Sequence, residues 1–374
     1  MYFSGENKLD LYQEGAAKFV LGEAFYRESS RISRDLGVLV AQVYRQRAGR
    51  LRVLDGMSGA GVRSLRYALE AEADFVWANE GNPDLGDRLQ QNLAALPADR
   101  YCLSHRSLEQ LLGERTIEKD YFDLIDLDAF GSPLVFLQGA LRSIRYGGLL
   151  YLTSTDGRSI SGQLPEQSLR QWGAWIRSHP AVQEQALRLL LGAVVQQAAL
   201  MGLGIEPVFS LYRGQVYRVM VRVLGKQNWQ TDQSSGFLGY CHSCGNFQTL
   251  AWRQLGQAVC DCTGRYLSVS GPLWLGPLHG VDWLTAMGSL AQEHHWDSTA
   301  ALIQTMQAET PLPPYYYPLG EIGRRGKMDL PKRDRLIQAL IQAGYQASPT
   351  HIHSEAIKTN APFPDCIALA QTLS

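Results

Sequence analysis

The stretch Leu51-Arg-Val-Leu-Asp-Gly-Met-Ser-Gly-Ala-Gly61 carries the strongest fold signal in the chain. Its first five residues are typical of a buried strand that ends in an acid, and its glycines allow a sharp turn before a helix predicted over Val62–Ala71. A strand, a glycine loop and a helix form the repeating unit of doubly wound parallel sheets. The sequence therefore predicts an α/β fold with a Rossmann-like sheet, and a ligand near the N-terminus of that helix.

Strand-like and helix-like stretches alternate from about residue 36 onward. Ile205–Tyr212 and Gln215–Leu224 are close enough along the chain to form an antiparallel hairpin at the end of this alternation. The other predicted elements are the strands Phe75–Glu80, Tyr121–Asp128 and Gly148–Ser154 and the helices Pro83–Ala95, Leu134–Ile144 and Pro180–Gly202.

A length of 374 residues with 45% hydrophobic content suits two domains, each with its own core. The polar stretch 225–236 is typical of a linker, so we predict one domain over residues 1–225 and a smaller α+β domain over 237–374. In the second we expect helices over Asp282–His294 and Lys332–Gly344 and a turn region over Gly271–Gly280. Short strands are expected around Tyr345–Thr350 and Ala356–Ala361.

Charge and targeting patterns narrow the class of protein. Lys and Arg number 35 against 36 Asp and Glu, so a nucleic-acid partner would have to be held by local patches. The N-terminus shows no basic start and no apolar segment typical of export, and the apolar stretch Leu187–Leu203 is interrupted by polar residues. We therefore expect a cytoplasmic protein without a membrane segment, and no protein partner is implied.

The glycine loop and the next strand offer a nucleoside site. Asp55, Gly59 and Gly61 belong to the loop, and Glu80 ends the following strand, where an acid can accept hydrogen bonds from both hydroxyls of an adenosine ribose. NAD and S-adenosylmethionine both satisfy this arrangement. The glycines have the spacing GxxGxG and not the GxGxxG of dinucleotide-binding proteins, which favours S-adenosylmethionine over a nicotinamide cofactor.

The run Asp126-Leu-Asp-Ala-Phe-Gly-Ser-Pro133 is predicted to end a buried strand at the edge where such sheets bind ligands. It resembles the Asp/Asn-Pro-Pro-Tyr/Phe signature of amino-methyltransferases. Asp128 would accept an N–H of an exocyclic amine and Phe130 would stack on the base, while Asp126 orients Asp128 or binds backbone. The alternatives are a helix cap for Asp128 and a core aromatic for Phe130.

Four of the six cysteines fall within 22 residues of each other, at Cys241, Cys244, Cys260 and Cys262. Four thiolates suit a closed tetrahedral zinc site with a structural role, although the second pair, CxC, is more tightly spaced than usual. His242 is an alternative ligand, and reduced thiols without a metal are the alternative interpretation. No position is left for a catalytic water.

At this point the chain resembles a known family, the tRNA guanine-26 N2-dimethyltransferases. Most of the chain is covered by short matching segments, and a shared fold alone would not produce so many. The resemblance implies that methyl groups from S-adenosylmethionine are transferred to N2 of guanine 26 in tRNA, first one and then a second. A neighbouring guanine is an optional further target. The segments are Glu14–Phe19, Phe25–Tyr26, Ser33–Asp35, Ser58–Arg66, Asp126–Pro133, Thr153–Gly157, Gly271–Leu278, Ile322–Arg325, Gly344–Tyr345, Thr350–His351 and Ile357–Pro362.

Carried over by position, the resemblance implies that Arg34, Arg63 and Glu80 contact S-adenosylmethionine and that Asp128 is the catalytic acceptor. The family's acid and alanine beside the adenine correspond to Ser107 and Leu108, which are therefore cofactor-binding candidates. The sequence departs from the family pattern at four further places. They are Arg27-Glu28 in place of Asn-Pro, Ser33 in place of Asn, Glu80 in place of a more usual Asp, and Ala129 in place of a proline.

A basic run in the C-terminal half is a candidate for tRNA phosphates, with a solvated charged face as the alternative. Other functions stay open as well. A nicotinamide oxidoreductase, a noncatalytic tRNA-binding zinc protein and an adenine-N6 DNA methyltransferase compete with the leading hypothesis. The basic residues are Arg324, Arg325, Lys327, Lys332, Arg333 and Arg335, with His351, His353 and Lys358 beyond them.

Overall fold

The computed structural model describes residues 11–226, 234–329 and 332–373. They form two compact units, the first ending at Ala129 with Val135–Leu152 added, the second comprising Phe130–Leu134 and the chain from Thr153 onward. Part of the predicted linker, residues 227–233, lies outside the described residues, and Ser235 already begins a strand. The predicted domain boundary between residues 225 and 237 stays a prediction.

The first unit is an α/β layer structure. Its strands run parallel in the order β5-β4-β3-β6-β7, and β3, β6 and β4 are almost wholly buried because helices cover such sheets on both faces. A separate antiparallel hairpin, β1 with β2, precedes it. The elements are β1 (Leu11–Glu14), β2 (Ala17–Val20), α1 (Arg31–Ala48), β3 (Arg52–Asp55), α2 (Val62–Leu69), β4 (Phe75–Asn79), α3 (Gly86–Leu93), β5 (Tyr101–Ser104), α4 (Leu108–Ile117), β6 (Phe122–Leu127), α5 (Leu134–Ser143) and β7 (Ile144–Ser154).

The second unit combines a long helix, an antiparallel hairpin and two small three-stranded sheets, β11-β10-β12 and β13-β15-β14. Strands β8 and β9 pair antiparallel from Gly204 with Leu224 to Arg213 with Val216. Its elements are α6 (Gly157–Ile160), α7 (Pro165–Trp172), α8 (Val182–Leu200), β8 (Gly204–Arg213), β9 (Val216–Leu224), β10 (Ser235–Tyr240), β11 (Phe247–Leu250), β12 (Ser268–Trp274), α9 (Val281–Glu293), α10 (Asp297–Glu309), β13 (Tyr317–Pro318), α11 (Leu319–Gly326), α12 (Arg333–Gln342), β14 (Ala347–Pro349), β15 (Ala356–Thr359) and α13 (Phe363–Gln371).

The predicted α/β class with a mostly parallel sheet is confirmed, and so is the antiparallel hairpin of β8 and β9. Several elements differ from the sequence expectations. The turn region expected from Gly271 begins inside β12, where the register with β10 shifts and Gly271 exchanges backbone hydrogen bonds with Trp175. Helix α1 and strand β5 have no counterpart among the predicted elements.

Among the described residues, no helix is both long enough and apolar enough to cross a membrane.

Candidate active site

The carboxyl ends of three neighbouring strands bring the candidate residues together. Asp55 ends β3 and lies opposite Asp126 in the register of β3 with β6. Glu80 directly follows β4 on the other side of β3. Because parallel strands present their carboxyl ends at one edge, residues far apart in the chain become neighbours there. This edge is the candidate active site.

The glycine loop between β3 and α2 is shaped by left-handed backbone. Gly59 has φ of 53° and Gly61 φ of 79°, values that glycine adopts without strain. A Cβ at Gly61 would lie 2.7 Å from Cδ1 of Leu89, so that position also excludes side chains. The loop is tied to β6 by the N–H of Gly56, which donates to the carbonyl of Asp126 at 2.9 Å. The loop therefore passes close over the strand ends.

Asp55 is fully buried beneath this loop. Ser64 Oγ donates to its Oδ2 at 2.7 Å. Burial, with the nearby charge of Asp126 adding to it, raises the pKa of Asp55 to about 7, although the bond from Ser64 opposes this shift. Asp55 is thus a structural support of the loop, with 1% of its surface exposed, and its expected role in cofactor binding stays a prediction.

Glu80 and Asn79 connect the end of β4 to the same loop. Glu80 accepts hydrogen bonds from the N–H groups of Gly59 at 2.8 Å and Asn82 at 2.9 Å. Asn79 donates to the carbonyls of Gly56 and Arg106. The role of Asn79 was missed by sequence reasoning, although its position one residue before a candidate acid was available as a signal. Glu80 lies beside the loop, and its expected role in holding a ribose stays a prediction.

Arg63 joins the two carboxylates at the end of β6. Its Nη1 lies 3.1 Å from Oδ2 of Asp126 and its Nη2 lies 2.8 Å from Oδ2 of Asp128. The Arg63 side chain is 7% exposed and that of Asp128 32% exposed. Burial on its own lowers the pKa of Arg63, but the charges of Asp126 and Asp128 raise it well above its usual value. Asp128 is therefore a partly exposed carboxylate whose orientation is set by a buried guanidinium.

The residues after Asp128 turn outward. Ala129 is 2% exposed, whereas 78% of the Phe130 surface is exposed, so the core-aromatic alternative for Phe130 is wrong. Gly131, with φ of 76°, donates its N–H to Oγ1 of Thr155 at 2.7 Å, and its carbonyl accepts the N–H of Thr155. Alanine at position 129 is compatible with this backbone path because the turn depends on the positive φ of Gly131. A proline at position 129 is not required for it.

The remaining cofactor candidates have structural partners of their own. Arg34 forms an ion pair with the buried Glu14 of β1, and its guanidinium carbon lies 5.0 Å from the ring centre of Tyr26. Ser107 caps α4 by accepting the N–H of Gln110 at 3.2 Å, and Leu108 is 5% exposed. No described contact tests whether these three residues reach a cofactor, so their assignment stays a prediction.

The cysteine cluster of the second unit is gathered by two similar turns. The carbonyl of Cys241 accepts the N–H of Gly245 at 2.8 Å, and that of Cys260 accepts the N–H of Gly264 at 2.7 Å. These turns bring the sulfurs of Cys241, Cys244 and Cys260 within 4.8 Å of one another. Both glycines have positive φ, which lets the backbone fold tightly under the sulfurs.

The two turns differ in the place of their second thiol. Cys244 follows Cys241 by three residues, but Thr263 occupies the equivalent place after Cys260, and its Oγ1 lies 3.5 Å from the Cys241 sulfur. Cys262 is exposed and lies outside the set of three close sulfurs. Although burial raises thiol pKa values, hydrogen bonds from Thr263 and the Cys244 backbone lower the pKa of Cys241 to about 6. The expected set of four thus consists of three mutually close thiols and the exposed Cys262, whose thiol interacts with those of Cys244 and Cys260.

The predicted RNA-facing residues differ in how far their side chains are exposed. Arg324 is 63% exposed on its side chain and pairs with Glu321. Arg325 instead donates to the carbonyls of Ser243 and His242 and so connects α11 to the cysteine turns. The expectation that His351 and Lys358 face RNA is wrong, because their side chains are 0% and 2% exposed and contact buried carboxylates.

Comparison with known proteins gives one consistent result. Residues 7–370 match the family model described as N2,N2-dimethylguanosine tRNA methyltransferase. A tRNA (guanine(26)-N(2))-dimethyltransferase of Thermococcus kodakarensis is 31% identical, covering 94% of this chain and 96% of the relative. One of Pyrococcus abyssi is 28% identical, covering 94% and 95%. The solved structure of Trm1 from Pyrococcus horikoshii with S-adenosyl-L-methionine superposes with a TM-score of 0.84 at 28% identity, covering 96% of this chain and 99% of that one.

Proposed function

The chain belongs to the family of N2,N2-dimethylguanosine tRNA methyltransferases, and on this premise we propose which of its residues perform the reaction. The protein is an S-adenosylmethionine-dependent tRNA (guanine-N2)-methyltransferase that acts on guanine 26. The residue roles that follow are supported by geometry: the candidate residues lie at one edge of a parallel sheet, and Asp128 is the partly exposed acid there. The position of Asp128 is the observation that carries the assignment.

The glycine loop and Glu80 fit a nucleoside cofactor. A Cβ added at Gly59 would meet only the carbonyl oxygen of Phe25 within 4 Å, so the loop has open space at that point. Glu80 lies beside it with a carboxylate that can accept hydroxyl hydrogens. When bound, S-adenosylmethionine supplies a methyl group on a positively charged sulfur. Asp55, Gly59, Gly61 and Glu80 would hold it, together with Arg34, Arg63, Ser107 and Leu108.

Asp128 would bind the exocyclic amine of guanine. The nitrogen lone pair is delocalised into the ring, so the amine becomes nucleophilic only when acceptors hold its hydrogens and let it pyramidalise. Asp128 accepts one N–H, and its negative charge stabilises the positive charge that develops on nitrogen in the transition state. Phe130, two residues further along the chain, offers an exposed ring on which the base can stack.

The base must leave its stack in folded tRNA to reach a strand end. Exposed cations such as Arg324 would hold phosphates in a salt-dependent way. A cytoplasmic location stays a prediction.

The cysteine turns fit a structural zinc ion. Three sulfurs within 4.8 Å of one another and two tight turns match the donor set of closed zinc sites, and Cys262 is the remaining thiol in the same segment. Cys241, Cys244, Cys260 and Cys262 would hold the ion, whose role is to stabilise this part of the second unit, since no open position is left for chemistry.

The activity is tested with labelled S-adenosylmethionine and two tRNAs that differ at one base. The first carries guanine at position 26, and the second carries hypoxanthine, which lacks the N2 amine. Digestion of the first is expected to yield labelled N2-methyl and N2,N2-dimethylguanosine, and the second is expected to remain unlabelled at that position. Equal labelling of both tRNAs, or label on adenosine, would contradict the assignment.

The zinc proposal is tested by elemental analysis of the purified protein. One zinc per chain is expected, falling to nearly none in Cys244→Ser. Cys366→Ser is the matched control, because this thiol is buried in α13 and belongs to neither cysteine turn. Metal content equal in the two variants would remove the zinc site.

A further inference from the structure

We propose that Arg63, Asp126 and Tyr67 form a positioning group that orients and charges the carboxylate of Asp128 for the methyl transfer. This inference rests on the proposed function of Asp128 and gives these three residues a role in directing that carboxylate, separate from any contact of Arg63 with the cofactor. Arg63 and Tyr67 lie four residues apart on α2, so both point to the same face of the helix. That face meets the end of β6, where the two acids lie.

The guanidinium of Arg63 is held in place from two directions besides Asp128. One N–H donates to Asp126 at 3.1 Å. The ring of Tyr151 lies beneath the guanidinium, with its centre 5.5 Å from the guanidinium carbon, and the Tyr151 hydroxyl is fixed by the carbonyl of Ser33 at 3.0 Å. The planar guanidinium held in this way directs its Nη2 towards Asp128 in only one orientation.

Tyr67 is the third member of the group and binds the buried carboxylate of Asp126. Its hydroxyl donates to Oδ2 of Asp126 at 2.7 Å, and both side chains are at most 1% exposed. Burial, with the charge of Asp126 adding to it, raises the pKa of Tyr67 well above its usual value, so the hydroxyl keeps its proton and remains a donor. Asp126 Oδ2 is thus shared by Tyr67 and Arg63.

Sharing one cation between two carboxylates has a chemical consequence. Arg63 with Asp126 and Asp128 carries a net charge of −1, and Asp128 is the member that reaches the surface. If Arg63 paired with Asp128 alone, its charge would neutralise the carboxylate that must stabilise a developing cation. Asp126 attracts part of that charge, and Tyr67 in turn stabilises Asp126. The group therefore sets both the direction and the electrostatic strength of Asp128.

The sharpest test compares two helix tyrosines whose hydroxyls donate to acids at opposite ends of the same strand, β6. Tyr67 donates to Asp126 near the carboxyl end of β6, whereas Tyr44 donates to Asp123 near its start at 3.1 Å. Tyr67→Phe is expected to lower kcat about 3- to 10-fold, because Arg63 then moves towards Asp126 and no longer fixes the direction of Asp128. This is less than the full effect of losing a hydrogen bond to a charged group, since the change reaches Asp128 only through Asp126 and Arg63. The substitution should also move the acid limb of kcat to higher pH, because Arg63 then shifts towards Asp126 and away from Asp128. Tyr44→Phe should change neither quantity.

A second pair of variants separates positioning from cofactor binding. Arg63→Gln is expected to lower kcat at saturating S-adenosylmethionine about 100-fold, and Arg63→Lys to restore part of it, since lysine keeps the charge but not the fork. If both variants raise only the KM for S-adenosylmethionine, Arg63 is a cofactor ligand alone and the inference is overturned. The same holds if Tyr67→Phe has the wild-type kcat and pH profile.

Asp128→Ala, measured alongside, distinguishes a failure of the proposed residue roles from a failure of the positioning group alone. Normal turnover in that variant removes Asp128 from catalysis and with it the proposed residue roles. Loss of turnover in Asp128→Ala together with an unchanged Tyr67→Phe enzyme overturns the positioning group only.

Discussion

Two of the buried clusters of charge, one from each unit, differ in the balance of their charges. The first, which we propose acts in catalysis and name the catalytic cluster, consists of Arg63, Asp126 and Asp128, with one cation for two acids. The structural cluster contains two cations and two acids. It consists of Glu184, Arg188, Lys358 and Glu309, with the histidines His279 and His351 beside Glu309.

The difference shows which kind of buried charge indicates chemistry. In the structural cluster every acid and cation named is at least 98% buried on its side chain, and the charges cancel when both histidines are neutral. In the catalytic cluster the charges do not cancel, and the acid in excess is the one with 32% exposure. A balanced, closed cluster holds elements of the fold together, whereas an unbalanced cluster with one open member can act on a ligand.

The two histidines and Glu309 also resemble a metal site, since their ligand atoms lie within 4.8 Å of each other. The hydrogen bonds argue otherwise. Nδ1 of His279 accepts the N–H of Ser210 at 3.3 Å, so the proton of the neutral ring is on Nε2, which donates to Glu309 at 3.3 Å. A protonated Nε2 has no lone pair for a metal ion. Thus the structural cluster is a hydrogen-bonded network.

The largest expected effect is the loss of the open acid. Asp128→Ala should lower kcat by about 10²- to 10³-fold or more, the scale for removing one group that stabilises transition-state charge. Binding of S-adenosylmethionine, followed by calorimetry, should stay close to wild type. Asp128→Asn is the matched variant: its amide oxygen still accepts an N–H, so partial activity is expected. Wild-type turnover in Asp128→Ala would mean that neither cluster takes part in catalysis.

The second prediction concerns the removal of a buried acid from the structural cluster. Glu184→Gln leaves the buried cations Arg188 and Lys358 without their shared partner and should lower the free energy of unfolding by about 3–5 kcal/mol. Chemical denaturation measures this, with Glu206→Gln as control, because its pair with Arg222 is 40% and 42% exposed and contributes under about 1 kcal/mol. The kcat of the folded Glu184→Gln protein should remain unchanged. A lowered kcat at full folding would give this cluster a catalytic role.

The smallest effect concerns pH. Burial lowers the pKa of His279 to about 4, below its usual value of 6.5. Between these values the unfolded chain takes up a proton that the folded protein does not, so stability falls as pH falls, by up to about 1.4 kcal/mol per unit for one proton. His279→Gln should flatten the dependence of the denaturation midpoint on pH between 6.5 and 4. The exposed His294→Gln should leave it unchanged, and equal slopes in both variants would refute the assignment.

Much of the architecture was predictable because its signals are local. The strand over Leu51–Asp55, the glycine loop and the helix after it follow from neighbouring residues and appear nearly as expected, as do Asp128 and the first pair of cysteines. Strand β5 was missed because its four residues, all partly buried, lack the alternation that identifies a strand. His351 and Lys358 were misplaced because charge suggests the surface unless a buried partner is known, and their partners are distant in sequence.

The sequence by itself determined the class of fold, the family and the acid at the strand end, since motifs and hydrophobic periodicity are properties of contiguous residues. Only the tertiary structure decided which residues Arg63 contacts. Its two partners lie 63 and 65 residues further along the chain, and they meet it because β6 lies beside β3 in the sheet. That order comes from long-range packing of buried strands, and a contact made through it leaves no periodic trace in the sequence.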